Sequence, residues 1–334
     1  MLIILLGTAL LCALSVVSLF VGSGSIEAAT VVEILGKFIT GETPPIGERN
    51  TDELLILDRR IPRTLLAILV GAGLGVAGAL MQALTRNPLA DPGLLGVNAG
   101  AMLAVVIGSA VMGSSLGFSH VWLAMAGALI TSVAVYVIGS TGRSAQSPAK
   151  LVLSGVALAA VFSGVSLAIS LSMPQVFDRI RFWAAGSLQG RSTSELETIF
   201  PFILAGVIIA LLLPRAVNAL SLGDDAAVAL GGRPMLTRVI GLIAITLLSG
   251  AATAAAGPLT FIGLIVPHAL RMLLGPDYRW LLPMSLLAAP ILMLSADILA
   301  RVVVAAELPV GVVTALLGAP VLIALTRRKK VRDL

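Results

Sequence analysis

A chain of 334 residues with 58% hydrophobic and only 12% charged residues, a net charge of +5 and a mean hydropathy of +1.05 cannot coat a water-soluble globule, which carries about 25% charged residues. Its apolar surface must face lipid. Long unbroken runs rich in Leu, Ala and Gly exclude a membrane barrel, whose strands alternate apolar and polar over roughly ten residues. Backbone polar groups find no water in the bilayer, so helices remain. The predicted class is an all-α, polytopic membrane protein forming a single domain over residues 1–334.

A span needs about 20 apolar residues. Runs broken by charge, Pro and Gly place ten, at 2–21, 63–84, 93–112, 121–139, 150–171, 198–213, 238–256, 258–274, 280–304 and 309–325. The first lacks a basic n-region and is longer than a signal h-region of 7–15 residues, so it reads as a retained span. It holds the sole cysteine, Cys12, a small hydrophobe; Leu11 before it argues against lipoprotein processing, and one cysteine supports neither a disulfide framework nor a metal cluster.

Ten spans put both ends on one side. The basic tail Arg327–Arg332, with Arg86, Arg143, Lys150, Arg215, Arg233, Arg238, Arg271 and Arg279, makes that side cytoplasmic, and Asp333 lies there too. The outer segment Gly22–Pro62 carries six acidic residues before Asp58 and ends in Arg59 and Arg60, with Arg63 just beyond. These three arginines oppose the positive-inside trend. They either anchor at headgroups and pair with Asp52, Glu53 and Asp58, or dock an acidic partner through bidentate carboxylate pairing. The residues alone leave both open.

The second span carries Gly71, Gly75 and Ala79 at four-residue spacing, a close-packing signal. The turn Asn87–Gly93 that follows contains two prolines, which continue neither helix. His120 sits at an outer span end, and a second outer loop runs from Ser172 to Glu197. The inner loop of about 214–237 contains LGDDAAVALGG, in which Leu222, Ala226, Ala229 and Leu230 fall on one helical face. That is either a capped interfacial helix or an element pressed into a cytosolic motor. Gly257-Pro258 alone separates spans seven and eight. His268 and Arg271, three apart near the cytoplasmic end, either snorkel or bind a ligand. In span nine Asp297 precedes Arg301 by four, the spacing of a helical ion pair.

Enzyme signatures are missing: no Walker A, no His-Glu-x-x-His, no nucleophile elbow, and no extramembrane stretch long enough for a catalytic domain. Spans two to eight show almost no internal charge, unlike a proton-driven carrier. Nothing points to nucleic acid.

Three stretches carry a family resemblance: Arg60–Ala101 (RIPRTLLAILVGAGLGVAGALMQALTRNPLADPGLLGVNAGA), Trp183–Leu188 with the LGDDAAVALGG loop, and Gly257–Leu325 with GPLTFIGLIVPHALRMLLG, SADILAR and ELPVGVVTALLGAP. Together the chain resembles the permeases of ATP-binding-cassette importers for iron-siderophores, haem and cobalamin. The likeness is weakest over 1–55 and 110–145. It implies ten helices per subunit in the cytoplasmic membrane, a homo- or heterodimer with a second permease, and alternating access without covalent chemistry. It implies an extracytoplasmic binding protein whose glutamates dock on arginines matching Arg60, Arg63 and Arg301. Two cytosolic ATPases, which hold the ATP and Mg, would grip Leu222, Gly223, Ala226, Leu230 and Gly231; this chain would hold no cofactor. A cytoplasmic gate would use Asn87 and Leu89. The family also places small hydroxyl residues of that gate at the start of the fifth span, where this sequence has Pro148 and Ala149. Ferric siderophore is the substrate that the resemblance favours, with cobalamin and haem as alternatives, and an ion-gradient-driven carrier as the reading of another class.

Overall fold

The computed structural model describes residues 2–22, 26–113, 119–141, 148–304 and 307–329. Arg143, Lys330, Arg332 and Asp333, used above for orientation, lie outside them. Among the described residues there is no strand. The helices run α1 (Leu2–Phe20), α2 (Ala28–Thr40), α3 (Thr51–Leu55), α4 (Ile61–Thr85), α5 (Val97–Met112), α6 (Ser119–Ser140), α7 (Pro148–Ser172) and α8 (Pro174–Ala184). They continue with α9 (Thr193–Leu212), α10 (Pro214–Ser221), α11 (Asp224–Ala229), α12 (Pro234–Ala256), α13 (Ile262–Leu274), α14 (Tyr278–Val302) and α15 (Val310–Lys329).

Seven helical runs among the described residues are long and apolar enough to cross a bilayer. The shorter apolar helices Val97–Met112, Ile262–Leu274 and Val310–Ala324 bring the number to the ten expected. By the orientation that the basic residues predict, the α4–α5 turn and the α10–α11 element lie at the inner end of the bundle and Arg59–Arg63 at the outer end.

The bundle is organised around α4, which is buried without a break from Val70 to Leu84 and packed by α14, α12, α13 and α9. Its small residues explain this. A Cβ on Gly71 would lie 2.8 Å from the Pro290 Cα, and one on Gly75 would lie 2.9 Å from the Ser285 carbonyl oxygen, so both glycines let α14 in. One turn on, a Cβ at Gly78 would fall inside the Gly263 carbonyl of α13. The small-residue spacing therefore serves two different neighbours, backbone against backbone.

The eighth span starts later than expected. Its helix begins at Ile262, not at Pro258, because Gly257 (φ 77°) and Phe261 (φ 73°) turn the chain with left-handed backbone. Thirteen helical residues rise only about 20 Å, less than the roughly 30 Å hydrocarbon core. The non-helical 257–261 stretch makes up depth, with the Gly257 amide donating to the Thr253 carbonyl at 2.8 Å and the Phe261 carbonyl accepting from the Ile265 amide at 2.8 Å. Beside it the Ser187 amide donates to the Ala256 carbonyl at 2.7 Å, and the Gly311 amide donates to the Gly186 carbonyl at 2.9 Å. Such backbone is tolerated at membrane depth only when protein or a cavity covers it. Three separated motifs of the sequence, around Gly186, Gly257 and Gly311, thus meet at one junction.

The outer segments are more ordered than the sequence suggested. Residues 28–60 form α2, α3 and a π-helical turn from Ile56 to Arg60 that runs straight into α4. Asn50 and Glu53 close a reciprocal capping box at the start of α3. The second outer loop contains α8.

Candidate docking, gate and coupling sites

At the outer end a cavity of about 190 Å³ is lined by Arg59, Arg60, Arg63, Arg191, Arg301 and Glu307, with Gly22, Leu55 and residues 188–190. The expected docking arginines Arg60, Arg63 and Arg301 are therefore brought together, but each is engaged within the chain. Arg63 holds Asp297 through Nε (3.1 and 3.2 Å) and Nη2 (2.9 Å), and Glu307 through Nη1 (2.6 Å). Arg301 binds the same Asp297 through Nε at 3.0 Å and through Nη2. It also donates to the carbonyls of Ser18 (2.8 Å) and Val21 (2.9 Å). Arg60 donates to Leu19 (2.9 Å) and Phe20 (3.2 Å).

These bonds have a local cause. The last carbonyls of α1 have no partner within that helix, and cations are favoured at a helix C-terminus. Two arginines from other helices supply both. Of the carboxylates that one of the two open readings paired with the basic cluster, Asp58 is held by Arg49, which takes both its oxygens at 2.8 Å, and Glu53 caps Asn50. Arg59 is the exposed member of the cluster, donating to the Gly190 carbonyl at 3.1 Å. Arg191 approaches His120 Nε2 at 3.0 Å, which gives His120 a local bond instead of a purely interfacial position. Arg191, Asp297 and Glu307 were not singled out as site members by sequence. The signal for Asp297 was its spacing to Arg301; Arg191 carried none.

At the inner end α4 stops in a left-handed residue, Arg86 (φ 50°), and the Asn87 amide reaches back to the Gln82 carbonyl at 3.1 Å, the closing bond of a Schellman-type cap. The two expected gate residues are joined, because Asn87 Oδ1 accepts from the Leu89 amide at 3.0 Å. Leu89 is exposed. Ala149, at the start of α7, is exposed as well.

Asp91, in the same turn, accepts from the Gly93 amide at 2.8 Å, yet burial pushes its carboxyl up to about 6. The unfolded value is near 3.9, so as pH rises the unfolded chain gives up its proton first and the native state loses ground between about pH 4 and 6. Asp91→Asn keeps an acceptor without the charge. Its melting temperature in detergent should exceed that of the native chain at pH 7.5 and match it near pH 3.5, below the unfolded value; an equal difference at both values would remove Asp91 as the cause.

The inner loop, expected to contact a cytosolic ATPase, does not form the amphipathic face that its spacing suggested. Gly223 (φ 121°) breaks the chain between α10 and α11, so Leu222 and Leu230 do not share one buried stripe with Ala226 and Ala229. The side chain facing the bundle is Ala227, while Leu222, Val228 and Leu230 stand exposed at 70%, 60% and 67%. Gly231 takes the left-handed conformation that closes α11. Of the paired residues near the inner face, Arg271 donates to the Tyr278 hydroxyl at 2.7 Å.

A family model described as the FecCD transport family matches residues 10–328. The chain belongs to the FecCD transport family. It is 51% identical over 313 residues to the ferric enterobactin transport system permease protein FepD of Escherichia coli strain K12, covering 93% of this chain and 91% of that one. It is 41% identical to the hemin transport system permease protein HmuU of Yersinia pestis, over 82% and 83% of the two chains. Among solved structures, an inward-facing metal-chelate type ABC transporter superposes with a TM-score of 0.83 at 29% identity, covering 98% of this chain and 99% of that chain.

This FecCD chain is accordingly a multi-pass permease of the cytoplasmic membrane and a transport subunit. Charged side chains gather at the two ends of this bundle, Arg63, Asp297, Arg301 and Glu307 at one and Arg86, Asp224 and Arg238 at the other.

Proposed function

We propose that the chain is the permease of a binding-protein-dependent ATP-driven importer that carries ferric siderophore across the cytoplasmic membrane. The observation that carries this reading is the exposed apolar knob of Leu222, Val228 and Leu230 beside Gly223 at the inner face. Exposed large apolar side chains on and beside a short helix mark a protein contact, and a cytosolic ATPase is the partner that a FecCD permease requires. Leu222, Gly223, Ala226, Leu230 and Gly231 form that contact. Both chain ends face the same side, and a second permease subunit completes the pathway.

At the outer face, five arginines line a cavity that holds Glu307 and borders Asp297. Positive charge is in excess there, and it suits the acidic residues of a binding protein. Arg60, Arg63 and Arg301 set the field while held by α1 and Asp297; Arg59, exposed at the rim, makes the contact most readily. The ferric enterobactin relationship, at 51% identity, supports siderophore over haem or cobalamin. Asn87 and Leu89 close the inner end between cycles.

The test is uptake by proteoliposomes holding the permease, its ATPase and the binding protein, loaded with radiolabelled ferric enterobactin. Uptake should require internal ATP and survive dissipation of ion gradients; uptake driven by a gradient without ATP would sink the proposal in favour of a secondary carrier. Arg59→Glu should slow uptake about tenfold at low binding-protein concentration without loss of assembly, and Leu230→Glu should strip the ATPase from the purified complex. Arg63→Glu is the poorer probe, because it would place a third carboxylate against Asp297 and Glu307.

A further inference from the structure

The α10–α11 element is tied to the bundle at two separate points. The first lies at Asn218, whose amide donates to Asp277 at 2.6 Å and whose oxygen accepts from the Tyr278 amide at 3.0 Å. That tie leads to α14. The second is Asp224, the first residue of α11, next to Gly223. It accepts from Arg238 Nη2 at 2.7 and 2.9 Å and from Arg86 Nη2. Arg86 also donates through Nε to the Leu220 carbonyl at 2.9 Å.

Two features make Asp224 more than a surface charge. Arg238 is buried at 5% exposure, and its Nε and Nη1 have no partner among the described residues; a buried guanidinium so placed depends on its carboxylate. Arg86 is the residue immediately before Asn87 and holds the left-handed backbone that starts the turn to Leu89. The Arg86 side chain thus reaches the motor-facing element while its backbone sets the conformation of the gate turn. The two guanidiniums hold the Asp224 carboxyl below the usual carboxylate range, so it is ionised at every working pH. An ion pair that is a third exposed in the isolated chain would gain strength once a partner protein covers it and excludes water.

We propose that Asp224 is a positioning residue that transmits displacement of the α10–α11 element to the Asn87–Leu89 turn through Arg86, with Arg238 as its anchor. This rests on the reading of that element as the ATPase contact.

The readout is siderophore transported per ATP hydrolysed, in proteoliposomes of the full complex, for Asp224→Asn, Arg86→Gln and the double variant. Each single change should lower the ratio at least tenfold while the ATPase still co-purifies. The double variant should be no worse than the poorer single, and Asp224→Glu should restore the ratio to within about threefold. Asn218→Ala, which cuts the tie to α14, should leave it within about threefold. An unchanged ratio in Asp224→Asn, additive losses in the double variant, or equal uncoupling by Asn218→Ala would each overturn the proposal. So would loss of the ATPase from Asp224→Asn, since Asp224 would then be a partner contact. Leu230→Glu alongside reads the contact itself: an ATPase that stays bound to it removes the coupling-surface reading, whereas the ratio in Asp224→Asn still decides the route through Arg86.

Discussion

Replacing Asp297 by alanine should destabilise the chain by about 3–5 kcal/mol, the cost of stranding a buried charge whose partner is removed. Asp297 is fully buried and faces two guanidiniums, Arg63 with 12% and Arg301 with 1% side-chain exposure. Glu307 still reaches Arg63, but Arg301 would be left on the carbonyls of Ser18 and Val21, which accept hydrogen bonds without neutralising charge. Four segments are joined there, the end of α1, the start of α4, the end of α14 and the turn at Glu307, so the outer cavity should lose its shape along with the pair. Asp297→Asn retains an acceptor and should fall between the two. Thermal unfolding in detergent checks this; an alanine variant that melts with the native chain would show that the network contributes nothing net.

The second large effect is expected at Gly78. Its added methyl would enter the Gly263 backbone, where no flexible side chain can yield, so α4 and α13 must separate. Overpacking usually costs 1–3 kcal/mol, and backbone against backbone places Gly78→Ala at about 3 kcal/mol or above. The internal comparison is Gly36 in α2, where nothing lies within 4 Å of an added Cβ. Gly36→Ala should stabilise by about 0.5–1 kcal/mol through helix propensity. If both changes shifted unfolding alike, close approach would not be what Gly78 provides.

Much of this molecule was legible before folding. Run length and composition located the apolar runs that form seven long helices and three shorter ones among the described residues, since hydrocarbon admits only helices of a certain length. The Asp297–Arg301 pair was legible from a four-residue spacing, because a helix sets that distance by itself. Pairings that cross the chain were not. Nothing in the order of residues says that Arg63 lies against Glu307, 244 residues on, or that Asp224 sits between Arg86 and Arg238. The loop Leu222–Gly231 misled for a related reason: periodicity assumes one continuous helix, and Gly223, with its positive φ of 121°, broke it.

The arginines that oppose the positive-inside trend show the division most clearly. Sequence alone determined that Arg59, Arg60 and Arg63 end an outer segment and demand an explanation, because charge at a membrane boundary is never neutral to orientation. Family motifs then singled out Arg60, Arg63 and Arg301. Only the tertiary structure decided that Arg60 and Arg301 close the end of α1, that Arg63 and Arg301 share Asp297 and that Arg63 also takes Glu307, leaving Arg59 at the rim. The reason is physical: charge type and spacing are local properties of the chain, whereas the partner of a buried charge is chosen by which helix ends the packed glycines of α4 bring together.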